Sequence, residues 1–130
     1  MDFRRLEGRP HIVASNAPPD VVRRALAHLG GAADGVEIVA LVPPFRPKPA
    51  PDLHLEACRR IAAAPDASLA FEDSVIGATA AKAAGLWVVG VGAEPGLSAH
   101  VDIHLDALED ERVLELLSAS SRPIPSAQKE

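Results

Sequence analysis

The chain has 130 residues, a length that suits one domain, and 48% of them are hydrophobic, enough for a real core. Aromatic residues make up only 3%, and alanine fills much of the apolar share, so each core side chain buries little area. The formal net charge of −5, with no basic cluster, argues against a nucleic-acid or anionic-membrane surface; a locally positive site for an anionic substrate remains open.

The first ten residues, "MDFRRLEGRP", carry charge but no apolar stretch, so they do not read as a signal peptide. "HIVAS", His11 to Ser15, reads as a short buried strand. "PPDVVRRALAHLGG" reads as a helix: Pro18 and Pro19 suit its first turn, Val22, Leu26 and Leu29 form a stripe, and Gly30 stops it. "VEIVALV", Val36 to Val42, is β-branched and apolar, a second strand. "PPFRPKPAP" holds too many prolines for regular structure and reads as a rigid loop. A second helix spans Pro51 to Ala64, with Leu53, Ala57 and Ile61 on one side. Ser68 to Phe71 is a third strand; Ser74 can cap a helix that runs to Ala84 and closes on Gly85. "LWVVGV" and "VDIHL" are a fourth and a fifth strand, "ALEDERVLELLSA" a last helix, and the remainder a polar, frayed tail.

Strands that alternate with helices and are buried on both faces form a parallel α/β sheet. Ligands of such sheets sit beyond the carboxyl ends of the strands. After the first strand stand Ser15 and Asn16, a hydroxyl and backbone N–H groups that suit an anion; the same residues are also ordinary capping chemistry. Lys48 lies between Pro47 and Pro49, which limit where its ammonium can point, although a lone lysine on a loop is as readily a solvated one. After the third strand come Glu72 and Asp73, hard oxygen donors suited to Mg2+. Helix capping explains one of these acids and not both. Gly77, in the first turn of a helix, costs roughly 1 kcal/mol against Ala and signals a close approach to that helix. A hydroxyl, a cation and an acid pair at one end of a sheet are equipment for holding a phosphoryl group with Mg2+.

Cys58 is the single cysteine, so no internal disulfide can form; it reads as a small buried residue in a reducing, cytoplasmic compartment. No apolar run approaches a membrane span. The five histidines form no ligand set, and surface or capping roles are expected for all of them. A receiver domain of two-component signalling would share the acid pair, hydroxyl and lysine. There, however, the acids come first, whereas Ser15 and Lys48 here precede Glu72 and Asp73.

"IVASNAP", "RPKPAPD" and "LAFEDSVIGATAAKAAGLWVVGV" together resemble the second, third and fourth motifs of haloacid-dehalogenase-type phosphatases. The branch they look most like is that of phosphoglycolate phosphatases and β-phosphoglucomutases. The resemblance covers about residues 11 to 105, and the order and spacing carry its specificity. It implies a Rossmann-like three-layer α/β core and a Mg2+-dependent phosphatase or phosphomutase acting on a small phosphorylated metabolite. It also implies that Ser15 and Lys48 touch the transferring phosphoryl as catalytic groups, helped by the backbone N–H of Asn16. Asp73 would bind Mg2+ with Glu72 beside it, and Ser74 and Gly77 would support that loop.

The family's first motif, Asp-x-Asp-Gly-Thr after an apolar strand, is absent: the only early aspartate is Asp2, with no such strand before it. The helical cap that normally selects the substrate is absent too. The chain therefore resembles the C-terminal part of such an enzyme. Residues 1–10 would be a remnant linker, 11–118 a partial core and 119–130 a flexible tail. Without the nucleophile no aspartyl-phosphate can form, and catalysis by this chain alone is not expected. A truncated product, one half of a split enzyme, or a non-catalytic module that binds a phosphorylated ligand or docks a partner would all fit. The missing strand belongs between the first and third strands here. Those two either close up and pair, or leave a gap for a second chain to fill.

Overall fold

The first strand, β1 (Val13–Ala14), pairs in parallel with β2 (Ile38–Val39), Val13 opposite Ile38 and Ala14 opposite Val39. The structure, a computed structural model, describes residues 8–28 and 35–107. Helix α1 (Pro19–Ala27) crosses between the two strands, with Pro18 as its extended N-cap and Pro19 in its first turn. Helix α2 (Asp52–Arg60) follows the proline loop, and β3 (Leu69–Glu72), α3 (Val75–Ala83), β4 (Trp87–Val91) and β5 (Ile103–Leu105) follow, with short 3-10 turns at Pro65–Ala67 and Leu97–His100. The strands β3, β4 and β5 form a second parallel sheet in that order. Among the described residues the outer edges of β1 and β3 pair with nothing, so the sheet is split where the resemblance puts a missing strand.

Up to Leu105 the expected order of strands and helices is present; β3 is shifted by one residue and the other strands are shorter than expected. Val36 to Val42 narrows to Ile38–Val39, because a strand bonded along one edge keeps its ladder only where the partner runs beside it. Leu29 and Gly30, the helix expected after Leu105 and the polar tail lie outside the described residues. No described helix is long and apolar enough to cross a membrane.

Packing explains how two small sheets stay together. Val13, Ile38 and Ala40 face α1 through Val22 and Leu26, while Ile12, Ala14 and Val39 face α2 through Leu53 and Ala57. Cys58, the neighbour of Ala57, belongs instead to the cluster formed by Ala70, Ala78, Ala81, Leu86, Val88 and Leu97. One turn of α2 thus packs on both sheets. The fully buried methyls of Ala78, Ala80 and Ala81 let α3 lie close against β3 and β4.

β5 is fastened by a buried carboxylate. The side chain of Asp102 is fully inaccessible; its Oδ2 accepts the backbone N–H of Val88 at 2.8 Å and its Oδ1 accepts Lys82 Nζ at 2.6 Å. Asp102→Ala strands the Val88 N–H in the core, while Lys82, one-third exposed, rehydrates. An unsatisfied buried donor costs about 2 kcal/mol. A drop of that size in the urea-unfolding free energy is expected.

Candidate phosphoryl and metal site

Three loops meet at the carboxyl ends of β1 and β3. The first carries Ser15 and Asn16. Ser15 Oγ accepts the N–H of Ala17 at 3.1 Å, which folds the chain into the turn before α1. Asn16 uses its side chain on the second loop: Oδ1 accepts the Lys48 N–H at 2.7 Å, and Nδ2 donates to the Lys48 carbonyl at 3.3 Å. This two-way clamp fixes the backbone of Lys48 from a loop more than thirty positions earlier. From the sequence, only a backbone role is expected of Asn16. Below the loop, Arg46 and Asp52 form a bidentate pair, with Arg46 Nη2 to Asp52 Oδ1 at 2.7 Å and the Arg46 N–H to Oδ2 at 2.9 Å. The guanidinium holds the Asp52 carboxyl below the usual carboxylate range.

The Lys48 ammonium is therefore delivered from a stiff loop. Its Nζ donates to the Ala14 carbonyl at 3.0 Å and to Glu72 Oε1 at 3.0 Å. Both side chains of that ion pair are only 11% exposed. Glu72 Oε1 takes a second bond, at 2.8 Å, from His54 Nε2. Burial pushes the Glu72 carboxyl up, but the His54 hydrogen bond and the Lys48 charge outweigh it and hold the group below its ordinary value. Glu72 is thus an anion that accepts from both partners.

His54 corrects the expectation of a surface or capping histidine. Its side chain is 5% exposed, on the packed face of α2 beside Leu53, Ala57 and Cys58. The sequence did hold a signal: His54 follows Leu53 and precedes Ala57 and Cys58 at helical spacing, inside the stripe rather than outside it.

Gly77 also has a definite cause. A Cβ at this position would overlap the Glu72 carboxylate, lying 2.7 Å from Cδ. The group that approaches α3 closely is thus the protein's own glutamate. Ser74 caps the helix by accepting the Gly77 N–H at 3.0 Å, and the Glu94 carboxylate accepts the N–H of Val75 from the far side. Asp73 is exposed and makes no hydrogen bond among the described residues, and neither does Glu72 Oε2. An open cavity of about 620 Å³ borders these acids, lined by Phe71, Glu72, Asp73, Val91, Gly92 and Ala93.

The donor set can be weighed against a divalent cation. Among the described residues no group of three His, Cys, Asp or Glu side chains could hold a metal. Mg2+ commonly takes one or two carboxylates and keeps several waters. The exposed Asp73 carboxylate, which lines the same cavity as Glu72, fits such an ion held loosely.

The fold and these loops define a haloacid-dehalogenase-like core. The family model for haloacid dehalogenase-like hydrolases matches residues 2–85, and the chain belongs to that family. No curated protein matches it in sequence. Among solved structures it is similar to a HAD family hydrolase from Deinococcus radiodurans R1 with bound phosphate and sodium (25% identity, TM-score 0.78, covering 95% of this chain and 59% of that one). It is similar to CbbY from Rhodobacter sphaeroides in complex with phosphate (26% identity, TM-score 0.76, 84% of this chain and 52% of that one). A β-phosphoglucomutase from Clostridium difficile shares the fold (22% identity, TM-score 0.69, 87% and 52%). The chain thus spans between 52% and 59% of the length of these structures.

Gly77→Ala gives a sign test of the packing. At an open helix position this change stabilises by about 1 kcal/mol. Here the added methyl displaces the Glu72 carboxylate from Lys48 and His54, and overpacking costs about 1–3 kcal/mol. A fall in the urea midpoint is expected; a rise would show that the carboxylate is not seated against Gly77.

Proposed function

We propose that the chain is the phosphoryl-holding part of a Mg2+-dependent phosphoric monoester hydrolase or phosphomutase-like core, acting on a small phosphorylated metabolite. The observation that carries this is the unfinished hydrogen bonding of Lys48. An ammonium has three N–H donors, and two are used, on Ala14 O and Glu72 Oε1. The third has no acceptor among the described residues, which leaves it for an anionic oxygen. Ser15 supports the same role, since its Oγ accepts from Ala17 and its proton has no acceptor among the described residues. Two structures similar to this chain hold phosphate.

In this reading Ser15 and the Asn16 N–H orient the phosphoryl oxygens, and Lys48 donates its third N–H to one of them. Asp73, with Glu72 Oε2 nearby, would hold Mg2+, which when bound supplies further positive charge to the phosphoryl group. Ser74 and Gly77 keep that loop in shape. No Asp-x-Asp-Gly-Thr sequence occurs in the chain to supply an attacking carboxylate, so the chain alone is inactive. The edges of β1 and β3 that pair with nothing among the described residues favour one addition: a parallel strand from a partner chain docks between them.

Calorimetric titration with inorganic phosphate and Mg2+ tests the binding. The wild-type chain should bind, and Lys48→Ala should lose about tenfold or more, the worth of a hydrogen bond to a charged group. Equal affinities would remove the phosphoryl-holding role. Hydrolysis of p-nitrophenyl phosphate by the purified chain would overturn its inactivity. A synthetic apolar strand peptide ending in Asp-x-Asp-Gly-Thr should raise the thermal midpoint; an unchanged midpoint at saturating peptide would end the docking proposal.

A further inference from the structure

We infer that His54 is a positioning residue for the Lys48 ammonium: by holding Glu72 Oε1 from below, it aims the lysine at the phosphoryl site. The inference rests on the reading of Lys48 as the phosphoryl-binding cation and names a residue that this reading leaves out.

Lys48 Nζ sits where two acceptors coincide. One, the Ala14 carbonyl, is fixed by the backbone next to β1. The other, Glu72 Oε1, ends a side chain with rotatable bonds whose carboxyl lies against the bare Cα of Gly77, a contact that gives Oε1 no hydrogen bond. Apart from Lys48 itself, the group that bonds this oxygen among the described residues is His54 Nε2 at 2.8 Å. Without His54, Oε1 would be held only by the ammonium it has to place. A lysine head on a flexible stem cannot set the direction of its own partner.

The chemistry of the imidazole fits this role and little else. Glu72 Oε1 faces the Lys48 ammonium at 3.0 Å and, as its ion-pair partner, accepts only, so the proton of the shared bond belongs to His54 Nε2. The other nitrogen, Nδ1, is buried without a partner among the described residues. A residue chosen to fill space on the packed face of α2 would carry no such orphan, because burying an unpaired polar atom is unfavourable. The ring is kept for one bond, and that bond points at Glu72.

The experiment uses the full 130-residue chain with His54→Phe, which keeps a ring and removes the donor, and His54→Gln, which restores an N–H of similar reach. Phosphate titration with Mg2+ should show His54→Phe about tenfold weaker and His54→Gln within a few-fold of wild type. Each titration is made where circular dichroism shows the variant folded, so a weaker affinity is not a loss of folding. Nitrogen NMR should find the wild-type His54 proton on Nε2 and Nδ1 bare. A sheltered Lys48 ammonium signal should be present in wild type and His54→Gln and lost in His54→Phe. If Lys48→Ala loses phosphate but His54→Phe does not, the inference fails and the phosphoryl reading stands. If no variant changes phosphate affinity, that reading fails, and the ammonium signal still decides the positioning role. A signal unchanged in His54→Phe, or a ring proton on Nδ1, overturns it.

Discussion

The organisation of this chain depends on one carboxylate oxygen that two buried cations or donors share. Glu72 Oε1 accepts Lys48 Nζ at 3.0 Å and His54 Nε2 at 2.8 Å. Lys48 comes from the loop clamped to β1, His54 from α2, and Glu72 from the end of β3. The bonds therefore cross from one sheet to the other at their carboxyl ends. Removing a carboxylate from water is unfavourable unless charge and hydrogen bonds replace the lost hydration. Here both replacements arrive at the same atom, which ties the site's electrostatics to the mutual placement of the two sheets.

Small residues make that junction possible. Gly77 leaves the volume that the Glu72 carboxyl occupies, and Ala78 and Ala81 bring α3 down onto β3 and β4. On the opposite side Ala57 and Cys58 divide one helical turn between the two clusters. An alanine-rich composition looks like a weak core when only buried area is summed. In this geometry it is what lets helices and charged groups approach one another.

The sequence made the frame legible because periodicity and punctuation survive in a single chain. Pro19 in a first turn, Ser74 as a cap and Gly85 after a helix all stand where local chemistry puts them. The convergence of Ser15, Lys48 and Glu72 was legible from the rule that parallel sheets work at their carboxyl ends. His54 was not, because a histidine within an apolar stripe declares its burial but not its partner, and Glu72 lies 18 positions away. The Asn16 clamp was hidden likewise: an amide after a strand looks like turn chemistry until its distant partner is known. Gly77 signals a close approach, but spacing cannot say that the approaching group is Glu72.

Local charge bears on how such a site could hold an anion. Lys48 and Glu72 neutralise one another, which leaves the exposed Asp73 as the uncompensated charge beside the cavity. In the proposed reading an incoming phosphoryl group would meet directional donors, the third ammonium N–H and the Ser15 hydroxyl, beside the negative charge of Asp73. Hydrogen bonds alone must work against the field of that charge. A hydrated Mg2+ at Asp73, as proposed, reverses its sign, so anion and metal affinity at this site are coupled rather than independent. The same logic applies to the gap between β1 and β3. The proposed strand ending in a carboxylate there would bring one more negative charge to the cluster, and a bound Mg2+, rather than Lys48, would have charge left to receive it.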